Sequence, residues 1–215
     1  MPEVSVSILS LSTFMVREEL GKLGDDVTTI HYDIMDGHFV KNIELGFSFL
    51  KEVSSCAGRP VECHLMVERP EDWVDRVADS GARTFFFHHE AVCDRDALIS
   101  RIRGRGMRVG VALSPGTDTQ EVRPYLGLID SVLVMTVLPG FGGQVMIRDC
   151  LKKIPELRED NRNIEVCIDG GVSEKNIRDV QEFGPDIVVV GSFFWKSTDR
   201  SEIVKRLRGR ESRAR

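Results

Sequence analysis

Two histidines and two aspartates stand where a single ion or a small substrate could meet all of them: His31, Asp33, His64 and Asp169. His31 and Asp33 are two apart in a β-branched run, so in a strand their side chains share one face. His64 lies near the end of another such run, Glu62-Cys63-His64-Leu65-Met66, and Asp169 ends a third, just before Gly170-Gly171. Imidazole and carboxylate together suit Zn²⁺, Fe²⁺, Mn²⁺ or Co²⁺. Asp33 and Asp169 also form an acid/base pair. One can remove a proton from a carbon beside a carbonyl, and the other can return a proton to the opposite face, inverting the centre. A cation between them would stabilise the negative oxygen that arises midway. A lone histidine on a strand is ordinarily a core or surface residue, and an Asp before Gly-Gly is ordinarily a turn residue. The coincidence of four such groups at strand ends is what points to chemistry.

A second constellation suits an anion. Gly140, Phe141, Gly142 and Gly143 follow one apolar run, Gly170 and Gly171 another, and Gly191-Ser192 a third. Glycines let backbone N–H groups approach a phosphate closely, and the loop around Phe141 could close over a substrate. Met35, Met66 and Met135, each at or beside a strand end, would make a soft layer that excludes water, or simply fill gaps in a core. Ser10 could donate to a substrate, and His38 and His88 could orient its hydroxyls; His38 and His89 also read as solvated loop residues.

These groups need a scaffold that brings many strand ends to one rim. Eight strand candidates span 4–9, 28–34, 60–66, 83–88, 107–113, 131–136, 164–168 and 186–190, starting roughly 20 to 33 residues apart. Helix-like stretches lie between them. Pro70-Glu71-Asp72-Trp73 opens one, 94–103 is a second, Ser173 is the expected N-cap of a third, and 199–208 is the last. Strand and helix alternating eight times predicts an α/β fold, a (β/α)8 TIM barrel of eight parallel strands inside a ring of helices. Its active rim is the C-terminal one, where the singled-out residues fall. The rival, an open doubly wound sheet, would carry a dinucleotide fingerprint after its first strand, and Leu9-Ser10-Leu11-Ser12 is not one. One barrel domain over 1–208 is expected, with a short basic tail at 209–215 that frays.

Composition narrows the partners. With 215 residues and a net charge of -5, the chain offers no basic face for nucleic acid or an anionic membrane. It has no apolar run of spanning length and no signal-peptide pattern at Met1-Pro2-Glu3. Five scattered cysteines, Cys56, Cys63, Cys93, Cys150 and Cys167, suggest a reducing, cytoplasmic setting.

The motifs together resemble the ribulose-phosphate 3-epimerase family. The resemblance is carried by Ser7-Ile8-Leu9-Ser10, the run from His31 to Val40, Cys63-His64-Leu65-Met66-Val67, His88-His89-Glu90, the run from Val134 to Gln144, Asp169-Gly170-Gly171-Val172 and Gly191-Ser192. It implies interconversion of D-ribulose 5-phosphate and D-xylulose 5-phosphate in the pentose phosphate pathway. It implies one divalent metal per subunit on His31, Asp33, His64 and Asp169, with Asp33 as proton acceptor and Asp169 as donor. It places Ser10 and His64 against substrate, and Gly140–Gly143, Gly170, Gly171, Gly191 and Ser192 around its phosphate end. It further implies a homo-oligomer, a dimer or hexamer. Val6, Lys41, Ser114 and Leu138 depart from the family's usual pattern, and those near the second and sixth loops bear on which sugar fits.

Three other readings compete. A sister epimerase would act on D-allulose 6-phosphate with the same metal and aspartates. A phosphate-binding barrel lyase or synthase would rely on a strand-end lysine, whereas Lys51, Lys152 and Lys175 read as helical and Lys41 as loop. A non-catalytic barrel would have no use for an intact acid/base and ligand set.

Overall fold

The computed structural model describes residues 1–44, 46–91 and 94–209. Cys93 and the tail beyond Gly209 lie outside the described residues. Nine strands are seen among the described residues: β1 (Glu3–Ser7), β2 (Thr29–Asp36), β3 (Ile43–Glu44), β4 (Val61–Met66), β5 (Thr84–His88), β6 (Arg108–Leu113), β7 (Ser131–Met135), β8 (Glu165–Asp169) and β9 (Ile187–Val190). The order runs β1-β9-β8-β7-β6-β5-β4-β2-β3, and β1 also pairs with β2 in parallel, which closes the expected eight-stranded barrel. β3 was not expected. It is an antiparallel two-residue strand against the end of β2, pairing Met35 with Glu44 and Asp36 with Ile43.

Helices α1 (Val16–Gly21), α2 (Phe47–Cys56), α3 (Val74–Asp79), α4 (Arg95–Gly104), α5 (Lys153–Asp160), α6 (Ile177–Phe183), α7 (Ser192–Trp195) and α8 (Arg200–Leu207) surround it. Asp94 and Asp199 cap α4 and α8 through their carboxylates, which accept from the Ala97 and Glu202 amides at 3.0 and 2.9 Å. Pro70 opens a 3-10 turn, Pro70–Trp73, that leads into α3. Ser173 does not cap α6. Asn176 precedes that helix, and its side chain instead closes a turn by accepting from the Ser173 amide and donating to the Gly171 carbonyl. The β6–β7 crossover carries only two 3-10 turns, Thr119–Glu121 and Arg123–Tyr125, where Pro124 denies the backbone a donor.

Strand alternation builds two cores. Outward residues such as Val4, Val6, Ile30, Tyr32, Leu65 and Val166 pack against the helices. Inside the barrel, Phe86, Ala112, Leu133, Met135, Cys167, Ile187 and Val189 form an apolar plug on the β5–β9 side. On the other side the inward positions are polar and buried: Ser5, Ser7, His31, Asp33, Glu62, His64 and His88. The chemistry-bearing residues are therefore set against a dry wall.

Phe86 reaches across this divide, its ring centroid 6.3 Å from that of His31. It fits because β6 has glycine opposite: a Cβ on Gly110 would fall 2.1 Å from Phe86 Cδ1. Gly110→Ala is expected to destabilise the fold by about 1–3 kcal/mol through overpacking. Urea denaturation measures this, and an unchanged midpoint would mean the ring has another place to go.

Candidate active site

Register brings the four expected ligands together. In the β2–β4 ladder Asp33 stands beside His64 and Met35 beside Met66, and in the β7–β8 ladder Met135 stands beside Asp169. His64 Nδ1 lies 3.1 Å from Asp33 Oδ1 and 3.3 Å from His31 Nε2. Asp169 Oδ2 is 3.8 Å from each of those two nitrogens. One donor atom from each of the four residues falls within 4.8 Å of the others, an arrangement that could hold one metal ion.

The electrostatics ask for a cation. Asp33, Glu62 and Asp169 crowd around two imidazoles, and among the described residues their ion pairs are to histidine alone. Burial pulls the His31 imidazole down, yet Asp33, Glu62 and Asp169 outweigh it and hold it well above its ordinary value. His64, also buried, is pushed down to about 4. With two nitrogens and two carboxylates, the donor set fits a borderline divalent metal.

The two aspartates differ. Asp33 is nearly sealed, at 3% side-chain exposure, and accepts from Ser7 Oγ at 2.9 Å. Burial raises its carboxyl, but His31 and His64 pull it well below the usual carboxylate range. Asp169 keeps 17% exposure. Burial raises it, His31 opposes, and the charges of Asp33 and Glu62 add to the rise. Of the pair, Asp33 is held ionised and Asp169 is held closer to its protonated form.

Both carboxylates open into a cleft of about 930 Å³. Met35, Met66 and Met135 give it an apolar wall, and Ser10, Gly140, Phe141, Gly142, Gly143, Gly170, Gly171, Gly191 and Ser192 line its outer part. Gly171 has φ +66°, and a Cβ there would come 2.4 Å from the Met146 amide nitrogen, so only glycine fits. Ser10 Oγ is pressed between two of the loops: a Cβ on Gly142 would lie 2.9 Å from it, and one on Gly191 3.3 Å. Gln144 Nε2 staples the glycine loop by donating to the Leu138 and Phe141 carbonyls. Asn42 Nδ2, from the loop after β2, donates to the Gly140 carbonyl at 2.9 Å and ties the two loops together.

Several placements differ from expectation. His64 is fully buried and is not part of the cleft wall; its nitrogens face Asp33 and His88. His88 is likewise fully buried, because its ring sits behind His64 rather than in the cleft wall. His89 is buried rather than solvated, with Arg95 against its ring nitrogen and carbonyl. Lys175 lies in the turn before α6, not in a helix, and lines the cleft. Ser7 and Glu62 were missed as parts of the site. Glu62 Oε2 accepts from Ser5 Oγ at 3.0 Å and lies 3.7 Å from His31 Nδ1. Polar residues inside otherwise apolar strands were the available signal.

The pattern of the ribulose-phosphate 3 epimerase family matches residues 3–195. The ribulose-phosphate 3-epimerase of Schizosaccharomyces pombe is 34% identical over 212 residues, 96% of this chain and 92% of the relative. The cytoplasmic isoform of that enzyme from Oryza sativa is 36% identical over 195 residues, 89% of this chain and 85% of the relative. In fold, 3-hexulose-6-phosphate synthase from Salmonella typhimurium superposes with a TM-score of 0.74 at 20% identity, over 97% of this chain and 100% of that one. No helix among the described residues is long and apolar enough to cross a membrane. Matched along nearly its whole length in sequence and barrel alike, this chain belongs to the ribulose-phosphate 3-epimerase family of carbohydrate isomerases.

Proposed function

We propose that the protein interconverts D-ribulose 5-phosphate and D-xylulose 5-phosphate by inverting C3. The observation that carries this reading is the pair of unlike carboxylates, Asp33 and Asp169, opening into one cleft from β2 and β8. In the barrel, β1 and β9 separate those two strands, so the carboxylates can reach a flat intermediate from different sides. Asp33, kept ionised by His31, His64 and Ser7, accepts the C3 proton. Asp169, whose carboxyl is raised, returns a proton to the opposite face of the enediolate. The roles exchange in reverse. Met35, Met66 and Met135 keep water from the carbon while it is planar. The amides of Gly140–Gly143, Gly170, Gly171, Gly191 and Ser192 hold the phosphate, and Ser10 donates to the sugar. Phe141, 56% exposed on its loop, folds over the bound substrate.

His31, Asp33, His64 and Asp169 would hold one divalent ion per subunit, Zn²⁺, Fe²⁺, Mn²⁺ or Co²⁺. When bound, it supplies positive charge to the oxygens that become negative in the intermediate. The protein acts in the cytoplasm as a homo-oligomer, a dimer or hexamer. The exposed Phe14, Ile43 and Val145 support subunit contact, and one relative is a cytoplasmic isoform. The roomy cleft also favours a second reading, D-allulose 6-phosphate, which has one more carbon to seat. Comparing kcat/KM on the two sugar phosphates separates them.

In a coupled assay on ribulose 5-phosphate, Asp33→Asn and Asp169→Asn should each lower kcat by roughly 100- to 10,000-fold. Full turnover in Asp169→Asn would overturn the two-aspartate reading. Metal-free protein should gain about 2.7 kcal/mol of stability in a metal held at 100 times its Kd, read as a rise in Tm. That gain should disappear in His31→Ala, and an equal gain in the variant would place the ion elsewhere.

A further inference from the structure

A chain of side chains behind the metal cluster has no part in the proton transfers. His64 Nε2 lies 2.9 Å from His88 Nε2. His88 Nδ1 lies 3.2 Å from Glu90 Oε2. Glu90 Oε1 accepts from the Ser114 amide at 2.9 Å and from the Thr117 hydroxyl. The His88 ring stacks on His64 at 5.0 Å and 29°, with the Phe39 ring 4.8 Å away. Both histidines are fully buried.

We infer that His88 and Glu90 are positioning residues that fix His64 in the tautomer whose Nδ1 lone pair faces the metal site. Neither touches the reacting atoms. The inference rests on the metal reading of the four-residue cluster given above. The nitrogen of His64 in that cluster is Nδ1, 3.1 Å from Asp33 Oδ1 and 3.8 Å from Asp169 Oδ2. A ring nitrogen can ligate only through its lone pair, so the proton of neutral His64 must sit on Nε2. His64 Nε2–H then donates to His88 Nε2, which must be an acceptor, and that puts the His88 proton on Nδ1. His88 Nδ1–H donates in turn to Glu90.

With the His64 Nδ1 lone pair given to a metal rather than a proton, the Glu90 carboxylate sets the direction of the chain, because an ionised carboxylate only accepts. Were His88 protonated on Nε2 instead, its Nδ1 lone pair would face the Glu90 oxygen with no proton between them. Ser114 Oγ, 3.5 Å from the same nitrogen, is too far to hold the alternative firmly. Glu90 stays charged because the hydrogen bonds of His88 and Thr117 outweigh the cost of its burial, keeping its carboxyl well below the usual range. Carboxylate, histidine and metal-ligating histidine in series extend the outer-shell orientation common at metal sites by one residue.

Glu90→Gln is a sharp test. Its Oε1 can keep the Ser114 and Thr117 bonds, which leaves an NH₂ donor facing His88 Nδ1. His88 must then accept there and carry its proton on Nε2. His64 is forced to accept on Nε2 and to place its own proton on Nδ1, inside the ligand cluster. Full-length Glu90→Gln should therefore bind Co²⁺ about 10- to 100-fold more weakly than the unaltered protein in equilibrium dialysis. It should also bind more weakly than Glu90→Ala, which removes the carboxylate without imposing a donor. If Glu90 merely held its loop, the order would be the reverse, since Ala loses the loop bonds that Gln keeps. Long-range ¹H–¹⁵N spectra of the Zn²⁺-loaded unaltered protein should show the His64 proton on Nε2 and the His88 proton on Nδ1. Unchanged Co²⁺ affinity in folded Glu90→Gln, or a His88 proton on Nε2 in the Zn²⁺-loaded unaltered protein, overturns the inference and leaves the metal reading standing. Failure of the unaltered protein to bind Co²⁺ overturns both.

Discussion

The site depends on the register between β2 and β4. With Asp33 beside His64, the inward positions of the two strands bring an imidazole and a carboxylate to hydrogen-bonding distance, and His31 falls one pleat below. A slip of one residue would turn all of these side chains out among the helices. That register is fixed by packing on the other face, where Ile30, Tyr32, Cys63 and Leu65 are buried in the outer core. Apolar burial outside the barrel thus holds the polar arrangement inside it.

Burying so many polar groups has a cost that the structure meets in a particular way. Serine hydroxyls answer two of the carboxylates, Ser5 for Glu62 and Ser7 for Asp33. Each neutral donor satisfies an oxygen without supplying a counter-charge. The cluster is left with surplus negative charge that His31 alone partly offsets. The same surplus separates the aspartates, because whichever carboxylate is better supplied with donors stays ionised at the expense of the other.

The barrel was legible because each of its strands is long enough to show a β-branched or apolar run. The two-residue β3 was not, since Ile43–Glu44 becomes a strand only by lying against the end of β2. Ser173 looked like a cap because serine often is one, but the side chain of Asn176 took the local hydrogen bonds first. His31, Asp33, His64 and Asp169 could be found from residue type and place on the strand. The parts played by Ser7, Glu62 and Glu90 could not, because each exists only across strands brought together by the fold. His88 was seen as polar and near the rim, yet whether it faced the sugar or the back of His64 depended on the way its strand turns its pleat.

The Asn42–Gly140 hydrogen bond joins the loop that follows the β2 aspartate to the glycine loop proposed for the phosphate. A sugar phosphate bound as proposed would therefore pull, through its inert end, on the segment that leads back to the reacting carbon. Attraction for a group that never changes can in this way be spent on aligning one that does. A substrate stripped of its phosphate would lose turnover as well as affinity.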